Sequence, residues 1–245
     1  MTILVSLVLV LVFDLAFWPV PLTAQVPELS TEDTIVVGFK GDPGDHQVPS
    51  PWKVMVNTGT PHIRIISTID EPSGPFLFLR AADASFSVNR EVTVDVRRFR
   101  HLKWRWKADE LPVDGDVRTK RNDQVLQVFL IFDGSNFWGR KVLSYVWDST
   151  APIGTEADES VKVGWMGADI KVLVVTTGEH RDQWVTISRD VVADFRELFG
   201  KAPPRVKAVR IQSNSQHTAT VGSGYVTHLR FSLQPFSAQS ERPVR

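Results

Sequence analysis

The feature that most restricts this chain is a rhythm of short strand-like runs separated by turn residues. Runs rich in β-branched and aromatic residues occupy 34–40, 52–57, 62–69, 76–80, 91–96, 102–107, 125–132, 141–147, 170–176, 184–188, 206–213 and 225–233. Between them stand breakers such as Gly41-Asp42-Pro43-Gly44, Thr58-Gly59-Thr60-Pro61 and Glu71-Pro72-Ser73-Gly74-Pro75. Branched and aromatic side chains suit a pleated surface, while Gly, Pro and Asp reverse the chain. Many strands at this spacing predict a sandwich or barrel, not βαβ units. The run 125–132 is apolar at almost every position, which places it in a sheet covered on both faces.

One short helix is expected near 189–199. Ser188 is positioned to cap it, because a hydroxyl there accepts an early backbone N–H. Val191, Val192, Phe195, Leu198 and Phe199 recur at helical spacing and make one apolar face. Gly200 ends it and Pro203-Pro204 forbid its continuation.

The N-terminus reads as a cleaved secretory signal over residues 1–24. Residues 3–13 are apolar except for Ser6, Asp14 interrupts them, and Leu22-Thr23-Ala24 offers a small-residue cleavage site. A membrane span wants roughly 20 apolar residues. Stretching this one to that length buries Asp14 near its centre, at a cost of roughly 2.5–3.5 kcal/mol. The basic residues usual at the start of a signal are lacking. The expected organisation is a signal at 1–24, a loose segment at 25–33, one domain over 34–235 and a disordered tail over 236–245. The destination is the periplasm or the outside, with no stable membrane insertion after cleavage.

Composition removes several chemistries. There are no cysteines, so disulfides, thiolate metal sites, cysteine nucleophiles and haem attachment are excluded. Lys plus Arg and Asp plus Glu balance at 28 each, which gives no electrostatic footprint for nucleic acid. The histidines at 46, 62, 101, 180, 217 and 228 show no zinc-ligand spacing, and no nucleophile elbow or phosphate loop is present. The acidic turns Asp42/Asp45, Asp109/Glu110, Asp114/Asp116 and Asp123 offer oxygen ligands of the kind calcium takes. Turns of this type are ordinary without a metal, however, and neither a metal nor a cofactor is expected.

The strongest local pattern is Leu102-Lys103-Trp104-Arg105-Trp106-Lys107. Strand alternation puts Leu102, Trp104 and Trp106 on one face and the three cations on the other. Tyr145 and Trp147 repeat the aromatic spacing. Two readings stay open. Such rings can stack on sugar, with cations beside them to meet hydroxyls or acidic groups, or they can fill a core. Trp138, in a loop-like segment, is the aromatic most expected to be exposed.

Taken in order, these motifs resemble a known family. Leu102-x-Trp104-x-Trp106 comes first, then Asn122-Asp123 before the long apolar run, then Tyr145-x-Trp147. Arg189-Asp190-Val191 and Asp194 then lead to Phe199-Gly200. The chain is similar, from about Phe76 to Phe231, to bacterial proteins grouped as domain of unknown function 3047. The resemblance implies an exported, jelly-roll-like sandwich, similar in outline to carbohydrate-binding sandwiches, with no established activity. The family pattern has an acidic pair where this chain has Asn122-Asp123, and often an Arg where it has Gln127. It also shows Asp-x-Asp-Asn-Thr where this chain has Asn214-Ser215-Gln216-His217-Thr218. An amide keeps an accepting oxygen but loses the charge.

The expected fold is therefore an all-β, two-sheet antiparallel β-sandwich, jelly-roll-like, with one short helix. The expected function is a non-catalytic binding module for a saccharide or another envelope component. Trp104, Trp106, Trp138, Tyr145 and Trp147 would stack. Arg105, Asn122, Asp123, Gln127, Asn214, Gln216 and His217 would make polar contacts. Two alternatives remain: a carbohydrate-active hydrolase or lyase using Asp123 with a second carboxylate, and a protein-interaction domain with no small ligand.

Overall fold

The computed structural model describes residues 33–40, 47–66, 74–134, 140–163 and 166–236. The expected leader, Trp138 and most of the C-terminal tail lie outside the described residues, as do Asp42 and Asp45.

Strands pair into two sheets, as the turn spacing predicts. The seven-stranded sheet holds β1 (Thr34–Val37), β3 (His62–Ile66), β4 (Phe76–Ala82), β6 (His101–Glu110), β12 (Val185–Asp190), β14 (Val221–Val226) and β15 (Leu229–Ser232). The eight-stranded sheet holds β2 (Lys53–Thr58), β5 (Ser85–Val94), β7 (Leu126–Phe132), β8 (Arg140–Trp147), β9 (Glu156–Asp158), β10 (Val161–Val163), β11 (Met166–Thr176) and β13 (Val206–Asn214). Pairing is antiparallel except between β8 and β11, which run parallel. The segment between those two supplies β9 and β10, both laid along β11. The expected run 225–233 is in fact two strands, β14 and β15, broken at Thr227 and His228. Gly59, in the turn after β2, has φ of 70° and lies so close to Ala84 that a Cβ there would meet it at 2.6 Å.

The core lies between the sheets, and the aromatic motif is its centre. Trp104, Trp106, Tyr145 and Trp147 are each 0–1% exposed. Trp104 packs edge-on to Trp106 at 5.2 Å and beside Tyr145 at 5.5 Å, and Trp106 meets Trp147 at 5.8 Å. Trp106 Nε1 donates to Thr176 Oγ1 at 3.0 Å. These four rings therefore do not form an exposed stacking surface. Alternation shows which residues share a face, but the second sheet decides that this face is the inside.

The eight-stranded sheet is covered on its outer face as well. Val117 and Ala151 lie over Phe129, Val142, Val146, Ile170, Val172 and Val174 as a second apolar cluster. That double cover accounts for the unbroken apolar run in β7.

The helix, α1, spans Val191–Phe199. Its cap is Asp190, whose carboxylate accepts from Val192 N and Ala193 N at 3.1 Å. Ser188 is not the cap: it lies within β12, opposite Lys103. A carboxylate at the helix start also opposes the positive end of the helix dipole. Gly200 closes the helix in the left-handed region at φ 68°, its N–H bonded to Arg196 O. Phe195 packs on Phe132 at 4.6 Å. The buried Asp194 accepts from Tyr145 Oη at 2.7 Å and from Arg189 Nε and Nη2 at 2.9 and 2.6 Å. No helix among the described residues is long and apolar enough to cross a membrane.

Candidate functional site

The loop from β6 to β7 folds back tightly over the outer face of the eight-stranded sheet. At Gly115 a Cβ would stand 2.4 Å from Asp123 O, so the close approach needs glycine. Asp148 organises the same region. Its carboxylate accepts from Val117 N, Thr150 N and Ala151 N at 2.7–2.9 Å. Burial pushes the Asp148 carboxyl above its ordinary range, and those three donors oppose the push.

This loop delivers Asn122, Asp123 and Gln124 to the end of β13, where Asn214 clips them in place. Asn214 Oδ1 accepts from Gln124 N at 3.0 Å and from Gln127 Nε2 at 2.6 Å. Asn214 Nδ2 donates to Asn122 O at 3.0 Å. Asn122 then works in both directions. Its Oδ1 accepts from Gln124 Nε2 and its Nδ2 donates to Glu159 Oε1, each at 2.6 Å. An aspartate at either position could accept but not donate. The two amides are thus the residue types that these networks require.

Asp123 is fully buried. Its carboxylate accepts from Thr218 N at 2.6 Å and lies 3.1 Å from His217 Nδ1. His217 Nδ1 is also 3.1 Å from Asn122 O. Both neighbours are acceptors, so Nδ1 carries the proton and Nε2 is left with its lone pair. Burial pushes the Asp123 carboxyl up, but the bonds from His217 and Thr218 outweigh it and hold the group below its usual range. The bond to Asp123 raises His217, against the opposing effect of burial.

Glu159 completes the cluster from the break between β9 and β10. Loss of water around it raises its carboxyl, while Asn122 and His217 act the other way. Among the described residues neither Glu159 Oε2 nor His217 Nε2 makes a hydrogen bond. The two side chains flank Asn122, and each feels the other's charge. Beside them, Gln216 is half-buried with no side-chain bond among the described residues. On the sheet itself Gln212 is buried, and its side chain likewise makes no hydrogen bond among the described residues.

The sequence-expected site residues therefore separate. Asn122, Asp123, Gln127, Asn214 and His217 come together, with Gln216 adjoining. Trp104, Trp106, Tyr145 and Trp147 are core and make no part of that surface. Arg105 belongs to the other sheet, with its guanidinium 5.1 Å from the Trp184 ring centre. Glu159, Gln124, Asp148 and Thr218 are the members that sequence reasoning missed. Nothing in their spacing marks them, since Glu159 reads as one more acid in Asp158-Glu159-Ser160. The acidic turns pair with cations instead, Asp116 with Arg118 at 2.6 Å and Asp109 with Lys107 at 2.9 Å. Among the described residues, no group of three histidines or acids is placed to hold a metal ion.

Comparison with solved structures gives the following. The family 11 xylanase from Neocallimastix patriciarum is 11% identical, with a TM-score of 0.39, covering 82% of this chain and 97% of that one. A family 11 carbohydrate-binding module of a cellulosomal cellulase of Clostridium thermocellum is 11% identical at a TM-score of 0.41, covering 82% and 98%. No curated protein matches in sequence. The family model described as "Protein of unknown function (DUF3047)" matches residues 51–230, beginning before the motifs quoted above. The chain belongs to that family.

Proposed function

We propose that the protein is an exported module that binds a saccharide of the cell envelope at the Asn122–Glu159–His217 surface. One observation carries this reading. Asn122 fixes Glu159 by one oxygen and Asp123 fixes His217 by one nitrogen, leaving Glu159 Oε2 and His217 Nε2 without a hydrogen-bond partner among the described residues. A rigid acceptor beside a nitrogen that donates or accepts suits neighbouring sugar hydroxyls, which do both. Gln212 and Gln216 supply further amides. The binding is polar, since the four core aromatics are withdrawn from any ligand.

The test is a glycan array of envelope oligosaccharides, followed by calorimetry with any oligosaccharide that binds. E159Q and H217A should each weaken binding at least about tenfold, the loss expected for an interaction of roughly 1.4 kcal/mol. Unchanged affinity in both variants would remove the site from the proposal.

A second reading has a specific support. Burial holds the Glu159 carboxyl above its ordinary range beside the His217 imidazole, and an acid next to a base suits acid–base work. In that reading Glu159 supplies the acid and His217 Nε2 the base, with Asp123 as a positioning residue. The sealed Asp123 carboxylate cannot flank a substrate itself. Release of reducing ends or unsaturated sugars, abolished in E159Q, would select this reading over binding alone.

A further inference from the structure

The outer face of the seven-stranded sheet, on the opposite side of the sandwich, carries a second unusual surface. Register sets its composition. Tyr225 on β14 pairs with Phe78 on β4 and with Lys107 on β6, and Arg64 on β3 pairs with Phe78. Trp184 stands one residue before Val185, which pairs with Trp106. A single row thus crosses four strands, with Trp184 at its end just ahead of β12. Phe78 and Tyr225 lie 5.0 Å apart, Trp184 and Tyr225 6.1 Å, and Phe76 touches both Trp184 and Tyr225 within 5.6 Å. Phe78, Tyr225 and Trp184 are only half-buried.

Cations frame these rings. The Arg105 guanidinium lies 5.1 Å from the centre of Trp184 and Lys107 Nζ 5.5 Å from that of Tyr225. The inward turn of Trp104 and Trp106 forces Lys103, Arg105 and Lys107 onto this face. Arg64, Arg80 and Arg230 share it by register, against Asp109, Glu110 and Asp190. On a chain with no net charge, cations outnumber acids on this aromatic face among the described residues.

We propose that this face binds an acidic polysaccharide, with the half-buried rings lying against the apolar faces of its sugars, Arg105 meeting its carboxylates, and Lys107 bridging between them and Asp109, which lies 2.9 Å from its Nζ. Charge complementarity selects the anionic polymer over a neutral one. The interspersed acids and the balanced total charge select a glycan over nucleic acid, whose binding rests on a concentrated basic field. The site shares no residue with the Glu159–His217 surface and does not depend on it.

The experiment titrates the full chain with oligogalacturonate, with a neutral oligogalactan of equal length and with single-stranded DNA. The expected result is binding of oligogalacturonate alone, weakened by added salt. R105E and K107E should each lower its affinity roughly tenfold, about 1.4 kcal/mol. W184A should do the same while W184F retains binding. Where W184A fails to fold, the two charge reversals decide the matter, because Arg105 and Lys107 are half-buried on the outer face and lie outside the core. E159Q should leave this affinity unchanged, which separates the result from any failure of the other site. Equal binding of the neutral oligomer, tighter binding of DNA, or full affinity in R105E and K107E would overturn the proposal.

Discussion

His217 and Asp123 stand 94 residues apart in the chain, yet the imidazole Nδ1 lies 3.1 Å from a carboxylate that no solvent reaches. The pair joins the loop after β13 to the loop before β7, and its charge state follows pH. His217 is raised, so its contribution to stability is whole below the ordinary histidine value of about 6.5 and is lost as pH rises through the raised value. Asp123 is lowered, so its contribution is present above about 3.9 and is lost as pH falls through the lowered value. Denaturant unfolding from pH 5 to 9 should show stability declining on the alkaline side, with a flatter profile in H217Q. An equal slope in both proteins would refute the link.

The two carboxylates of the cluster should respond to neutralisation with opposite sign. D123N replaces an acceptor of two donors by a group that is half donor, costing about 1–3 kcal/mol. E159Q keeps the oxygen that Asn122 bonds and removes a charge that burial disfavours. Its stability at pH 7 should hold or rise, by up to about 1 kcal/mol. Calorimetric melting of both variants checks the contrast, and a large loss in E159Q would contradict it.

D148A should destabilise the protein by about 3 kcal/mol. It leaves Val117 N, Thr150 N and Ala151 N without their acceptor, in a region where water does not replace it. D148N should cost less, since one oxygen remains. Urea midpoints measured with an unchanged slope would read this directly.

Trp106 tests the assignment of the aromatic motif. W106A should cost about 3–5 kcal/mol, because it opens a cavity between the sheets. W106F should cost less and leave any oligosaccharide affinity as it was. A loss of affinity in a folded W106F protein would return this ring to the ligand surface.

Y145F removes one donor to the buried Asp194 but leaves both contacts from Arg189. A loss of about 1–2 kcal/mol is expected. R189A should cost more, because it strips Asp194 of its only cationic partner among the described residues.

Much of the fold was legible because strand patterns are local. The alternation in 102–107, the apolar run in β7, and the helical face ended by Gly200 each depend on neighbours in the chain. The cap shows where that reading stops. Ser188 and Asp190 both suit a helix start, and the choice fell to Asp190 because pairing with β6 carries β12 two residues further.

By itself the sequence determined that Trp104 and Trp106 share a face, that Lys103, Arg105 and Lys107 share the other, and that the chain folds as paired strands. Tertiary structure alone decided which face is inside, and with that which rings of the described residues lie half-buried on an outer face, Trp184, Tyr225 and Phe78. It alone brought Glu159, Asp123 and His217 to one place. Alternation is set by the backbone of a single strand, whereas facing and convergence are set by what packs across from it. No spacing within one segment records that.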